Sequence, residues 1–430
     1  MIYRAQVLDT PADPFHGAPL RAEQDAGLVV VDGAITDRGP FEQVRARHRP
    51  SAGEVVDLRE GLLLPGFVDT HVHYPQLRVI GGLGLPLLDW LEQRALPEEA
   101  RLADTGYAAT VAREFVTALT AAGTTTALVF GAHFAPAVEQ LFGAAAEVGL
   151  RITSGLVVGD RLLRPDLHTT PERAHAQGRA IADRWHGVGR ARYAVTPRFA
   201  LSCTDELLAA CAQLHRDVPG SWFTSHLNEN PVEVQTVREL FGTGYLQAYD
   251  RHGLLSGRAV LAHDVHPGPG ELARLGATGA AVAHCPTSNA ALGSGLFPLA
   301  EHLAHGVPVA LGSDVGAGTG FSLFKEGLQA YFGQQLRGAD GVALTAAHLL
   351  YLATAAGATA LGRPEVGHLS PGTRFDAVWV RPAQGTPLHL GLRHADGPED
   401  ALGRAFALAG PADLAQVWID GQPLRAATAP

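Results

Sequence analysis

The chain has 430 residues, 46% hydrophobic and 18% charged, and 43 acidic against 33 basic side chains leave a net charge of −10. That apolar fraction excludes a disordered chain, and the acidic balance makes nucleic acid and anionic membrane surfaces poor partners. Three cysteines, Cys203, Cys211 and Cys285, cannot pair completely and form no CxxC, which excludes a disulfide scaffold.

The opening MIYRAQVLDT has no basic segment leading into an apolar run. No stretch approaches the roughly 18 apolar residues of a membrane span. A soluble, cytoplasmic protein is therefore expected. The first sixty residues read as β structure. AGLVVVDGAITDRG (26–39) holds two apolar runs split by Asp-Gly, a hairpin signal. TRFDAVWVRP and LAQVWIDGQPL repeat the style near the other end. Residues 1–61 and 366–430 are thus expected to form one small composite β domain.

Between them, over 62–365, short apolar runs alternate with helical spacing, the pattern of βα units. Strands are predicted at 62–73, 124–133, 151–159, 191–199, 221–227, 259–265, 279–285 and 308–314. GYAATVAREFVTALTAAG (106–123) is a helix ending on glycine. Eight strands with intervening helices fit an α/β fold of the (β/α)8 TIM-like barrel type; a doubly wound open sheet is the alternative.

Most of these strands end on a side chain that binds metals or protons. The first ends in His71-Val72-His73, the fifth in His226, the sixth in His263-Asp264, the seventh in His284 and the eighth in Asp314. Strand C-termini converge on one face of a barrel, so these groups would meet. His71 and His73 are two apart and point to one side of a strand. Together with His226 and Asp314 they make a nitrogen-rich donor set that suits Zn²⁺ or Fe²⁺ better than Ca²⁺ or Mg²⁺. Such an ion lowers the pKa of a bound water from 15.7 to about 7. Glu229, in the loop SHLNENP, is placed to take a proton from that water and deliver it to a leaving group. Asp314 can ligate and also accept a hydrogen bond from the water. His263 reads as a ligand or as a group that positions the water, and the second role is favoured.

Lysine sharpens the choice. Lys325 is the only one, and it follows the last strand. A lysine-bridged pair of metals, Schiff-base chemistry and pyridoxal phosphate are all disfavoured. No HExxH, GxSxG or Walker loop occurs. Pro269 spoils the GxGxxA at 268–273 as a phosphate loop, leaving a turn into a helix. Gly316-Ala-Gly318-Thr-Gly320 reads as a mobile loop at the site mouth. Cys285 reads as a buried structural thiol.

PGFVDTHVHYPQ, VTPRFALSC, SHLNEN, AHCPTSN and LGSDVGAG, in this order, resemble the amidohydrolase superfamily, and more closely its guanine deaminases. LLDWLEQRALPEEARLAD is similar to substrate-side segments of those enzymes. The resemblance covers about 62–350 and, more loosely, the β-rich ends. It implies one zinc per subunit on His71, His73, His226 and Asp314, a proton shuttle at Glu229 and water contact by His263. It implies base recognition by Gln76, Arg198 and Phe199, with His226, Glu229 and Asp314 bordering the substrate. A guanidinium donates in plane to a purine's acceptors, and a phenyl ring stacks on it. One departure is the Ala-rich AHCPTSNAALG, which trims bulk near the pocket. The implied reaction is hydrolytic deamination of guanine at C2, giving xanthine. Another purine, pterin or triazine ring is the alternative substrate class, 8-oxoguanine among them. A scaffold that has lost its metal ligands is the non-enzymatic alternative, disfavoured by the intact donor set. A homodimer is expected from the resemblance alone.

Overall fold

The computed structural model describes residues 1–424; residues 425–430, the end of the predicted composite β domain, lie outside the described residues. The barrel strands are β1 (Phe67–His73), β2 (Thr124–Phe130), β3 (Arg151–Gly155), β4 (Arg192–Pro197), β5 (Trp222–Leu227), β6 (Ala259–His263), β7 (Ala281–His284) and β8 (Val309–Leu311). They pair in parallel in chain order. Every strand residue is buried except the half-buried Arg192, as a parallel sheet covered on both faces requires. β1 and β8 meet at their C-terminal ends. The Asp314 amide donates to the His71 carbonyl at 2.8 Å, and the His73 amide donates to the Val315 carbonyl at 2.8 Å. The sheet is therefore a nearly closed (β/α)8 barrel and not an open doubly wound one. Near the strand N-termini, Val68, Leu128, Ala194, Val260 and Ala281 cluster with the helix Ala355–Ala360.

Two predicted strands are broken in the structure. The run at 62–73 divides at Pro65-Gly66: Val55–Pro65 belongs to an outer sheet, and the barrel begins at Phe67. Proline offers no N–H to continue a ladder. A Cβ at Gly66 would stand 2.4 Å from the Thr125 hydroxyl, so only glycine allows the chain to cross there. The run at 151–159 divides after Gly155, and Val157–Val158 then pairs with β4 separately.

The outer sheet draws strands from both ends of the chain. Its order is Gln422–Pro423, Leu414–Ile419, Ala377–Val380, Val55–Pro65, Ile2–Asp9, Arg21–Val31, Ala34–Pro40. Both Asp-Gly pairs make the expected tight turns. Asp32 and Gly33 have φ of 49° and 76°, and Asp420 and Gly421 have φ of 53° and 72°. Left-handed backbone at both central residues matches the twist of the strands that they join. The C-terminal part also holds two helices, Pro387–Arg393 and Pro398–Leu408, that the β-rich pattern did not predict. The second packs against barrel helix Leu323–Leu336, where Phe406 covers Gly327 and sits 5.2 Å from the Phe324 ring. No helix among the described residues is long and apolar enough to cross a membrane.

Arg151, buried at the start of β3, joins sheet to barrel by pairing with Asp376 and, at 2.7 Å, with Asp420. Removing one partner of a buried pair strands the other charge at a cost of about 3–5 kcal/mol, whereas replacing both is close to neutral. Arg151→Met should therefore lower the denaturant midpoint markedly, and Arg151→Met/Asp376→Leu should recover most of the loss. Equal losses in the two variants would contradict a stranded-charge mechanism.

Candidate active site

The closing hydrogen bonds of the barrel lie at the residues that carry chemistry. They tie His71 and His73 at the end of β1 to Asp314, just past β8. Asp69 braces the same corner. Its carboxylate accepts from the His71 amide at 3.2 Å, the Ser313 amide at 3.0 Å and the Ser313 hydroxyl at 2.5 Å. Asn228, His263, Asp264 and Asp314 have φ between 44° and 79°, left-handed values that are uncommon for residues other than glycine. Such conformations cost of order 1–3 kcal/mol each and persist where the surroundings over-determine them. Here they turn the chain sharply at the ends of β5, β6 and β8.

Three imidazoles and one carboxylate converge. His71 Nε2 lies 3.1 Å from His73 Nε2, which lies 3.2 Å from His226 Nε2. Asp314 Oδ1 is 3.2 Å from both His71 Nε2 and His73 Nε2. All four donor atoms fall within 4.8 Å of one another, and all four residues are buried. His226 Nδ1 lies 2.6 Å from the Arg198 carbonyl, which can only accept. The proton is therefore on Nδ1, and the Nε2 lone pair faces the cluster. Burial pushes His73 down to about 4 and His226 well below its ordinary value. Burial alone would raise Asp314, but the neighbouring His71 and His73 rings hold it well below the usual carboxylate range. Three neutral rings and a carboxylate are the protonation states that a metal requires. Ligands at 2.0–2.2 Å around a tetrahedral zinc lie about 3.3 Å apart, close to the spacings seen. The residues present fit a single divalent cation.

His263 stands slightly apart. Its Nδ1 lies 3.0 Å from the Asn289 side-chain oxygen. Its Nε2 has no partner and faces Glu229 Oε2 at 3.5 Å and Asp314 Oδ2 at 3.8 Å. Glu229 accepts from the Ser294 hydroxyl at 3.3 Å, and burial, reinforced by the charge on Asp314, pushes its carboxyl well above the usual range. Over the cluster lies a cavity bordered by Gln76, Arg198, Phe199, Glu229 and His263, with Leu87, Trp90, Leu91 and Leu292 supplying apolar walls. No residue lining it is more than 9% exposed.

Other strand-end groups are engaged elsewhere. His284 stacks on Phe297 at 4.3 Å, and burial lowers it to about 3. Asp264 pairs with His302 at 2.8 Å. Cys285 is buried, and burial raises its thiol well above the ordinary value, which suits a structural role. Lys325 is exposed and donates to the Thr319 carbonyl at 3.4 Å. The predicted mobile loop at 316–320 is pinned: the Gly316 amide donates to the Gln76 side chain at 3.1 Å and the Thr319 amide to Thr287 at 3.1 Å. A Cβ at Gly318 would stand 1.8 Å from the Ser313 carbonyl oxygen.

Several site residues were not singled out from the sequence. Phe130 packs its ring against His71, His73 and His226 at 4.6–5.0 Å. Asp69 was visible as the residue two before His71, on the same side of the strand. Asn289 and Glu99 lie inside the segments AHCPTSN and LLDWLEQRALPEEARLAD, but nothing in those segments marks them out from their neighbours.

Residues 62–424 match the amidohydrolase family. The chain belongs to that family. It is 57% identical over 428 residues to a probable guanine deaminase of Deinococcus radiodurans, covering 98% of this chain and 97% of that one. The solved E. coli guanine deaminase superposes with a TM-score of 0.94 at 35% identity, over 99% of this chain and all of that one. A Clostridium acetobutylicum guanine deaminase solved with guanine bound in its active site gives 0.91 at 26% identity over 99% of each chain.

Asp69 orients both a histidine and the loop that carries the carboxylate, and outer contacts of this kind are worth about 10- to 100-fold in metal affinity. Asp69→Ala should weaken binding of a divalent cation by that factor in competition with a chromophoric chelator. An unchanged affinity would remove its bracing role.

Proposed function

We propose that this amidohydrolase deaminates guanine hydrolytically, giving xanthine and ammonia. The observation that carries the reading is the four-donor cluster facing a cavity lined by buried residues, with Glu229 and His263 beside it and Arg198, Gln76 and Phe199 at the border. Similarity over nearly the full chain to guanine deaminases, one of them solved with guanine in place, supports the substrate. The complete donor set argues against a non-catalytic scaffold.

His71, His73, His226 and Asp314 would hold one zinc ion. When bound, zinc is a Lewis acid that brings the pKa of water to about 7. The chain's own groups do the rest. The apolar walls exclude bulk water and hold the flat ring, and Phe199 offers a face for stacking. Water adds to C2, forming the C2–O bond as the C2=N3 π pair moves onto N3. Glu229 takes one proton from it and passes that proton to N3. His263 Nε2, its lone pair fixed by Asn289 at the opposite nitrogen, accepts a hydrogen bond from the adding water. The second proton goes to the exocyclic amine through the Asp314 and Glu229 carboxylates, the C2–N bond breaks, and ammonia leaves.

The outer unit, 1–65 with 366–424 as the strands divide, would brace the barrel that begins at Phe67. Three unpaired, buried cysteines agree with action in a reducing cytoplasm. A homodimer remains part of the reading. Phe332 and Leu336, one turn apart on the helix Leu323–Leu336, are exposed together with Leu296 and offer an apolar face for it.

Purified protein given guanine should release ammonia and xanthine in equal amounts; no release from metal-loaded protein would overturn the reading. Glu229→Gln should lower kcat by about 10²- to 10⁴-fold, the usual worth of a general acid–base, with metal content unchanged. Near-normal turnover in that variant would remove the shuttle.

A further inference from the structure

Behind the base-facing side of the cavity lies a buried carboxylate that the mechanism leaves unused. Glu99 sits in the short helix Leu96–Ala100 and is 2% exposed. The same stretch of chain, just upstream, supplies the walls Leu87, Trp90 and Leu91. Glu99 Oε1 accepts from Arg198 Nη1 and from Gln76 Nε2, each at 2.8 Å. Its Oε2 accepts from Arg198 Nη1 at 2.6 Å and lies 3.3 Å from His133 Nε2. Burial alone would raise this carboxyl, but the Arg198 charge with the His133 and Gln76 contacts holds it far below the usual range. Glu99 does not itself line the cavity.

The consequence lies in what remains free. One guanidinium nitrogen is committed to Glu99, while Nε and Nη2 of Arg198 make no hydrogen bond among the described residues, although the side chain borders the cavity. A guanidinium has five N–H groups in a rigid fork, so anchoring one arm fixes where the others point. Gln76 is held likewise, donating to Glu99 and accepting from the Gly316 amide. The paired charges cancel, so an arriving ring meets directed donors and little net charge. The Arg198 carbonyl also orients the His226 ring, which ties the height of this fork to the reacting end.

We propose that Glu99 is a positioning residue for base selection: it holds the Arg198 fork so that the cavity takes a purine bearing a carbonyl acceptor on the edge away from C2 and discriminates against one lacking it. This rests on the reading of the cavity as a purine site. It places specificity in a residue that touches no substrate.

The test is equilibrium binding of hypoxanthine, which carries that carbonyl, against unsubstituted purine. Neither has a 2-amino group to lose, and quenching of Trp90 fluorescence reports occupancy. Wild type should prefer hypoxanthine by about 10-fold or more, since sites built around a polar group reject analogues lacking it. Glu99→Gln should cut the preference about 10-fold through weaker hypoxanthine binding, with purine affinity and metal content changed little. In an Arg198→Met background the preference should already be gone, and Glu99→Gln should add less than about twofold, the non-additivity expected of one unit. Glu99→Asp keeps the charge with a shorter reach and should fall between wild type and Glu99→Gln. An unchanged preference in Glu99→Gln, or its full effect persisting without Arg198, would overturn the proposal. If the preference shifts as described while wild type fails to turn over guanine, the selection role stands and the deaminase reading falls.

Discussion

Three imidazole Nε2 atoms and a carboxylate oxygen held at 3.1–3.2 Å in a buried interior are the constraint on which the rest of the site depends. His226, whose Nδ1 faces the Arg198 carbonyl, presents its Nε2 lone pair to the cluster, and a cation entering between the four donors would satisfy them together. Burial keeps the rings neutral, and the carboxylate stays charged because the rings surround it. The backbone holds the geometry: closure of the barrel runs through the His71 carbonyl and the His73 amide, so two of the four donor residues cannot shift without opening the sheet. Left-handed turns at His263 and Asp314 add strain that packing supports.

The cavity has two ends with different physics. At the end beside the four donors, Glu229 and His263 have few partners, which leaves them free for the proton transfer and hydrogen bonding proposed for them. At the far end, Glu99, Arg198 and Gln76 are locked to one another, so their directions cannot adapt to a poor ligand. The Arg198 main chain joins the ends by orienting His226. On the proposed reading, reactivity comes from the unpaired groups and selectivity from the paired ones.

Much of this was legible in the sequence, for a reason that can be named. Buried parallel strands read as unbroken apolar runs, so a polar residue closing such a run stands out, and barrel topology brings those closers together. His71, His73, His226, His263 and Asp314 were found that way. His284 has the same signature yet stacks on Phe297, because a strand-end position does not say which way a ring turns. Glu99 and Asn289 arrive from helices, and only tertiary packing brings them to Arg198 and His263. The break at Pro65-Gly66 was written in the chain as a missing donor and a missing side chain, but the apolar residues on both sides hid it. The helices at 387–408 lie among short β-rich runs that dominated the pattern.

The most direct test of the central claim is anomalous diffraction from crystals of the protein as purified, recorded on both sides of the zinc edge. The account predicts one peak per chain, bonded to Nε2 of His71, His73 and His226 and to Asp314, and separate from His263 Nε2. Two peaks, a peak held by other residues, or none after soaking in zinc would contradict it.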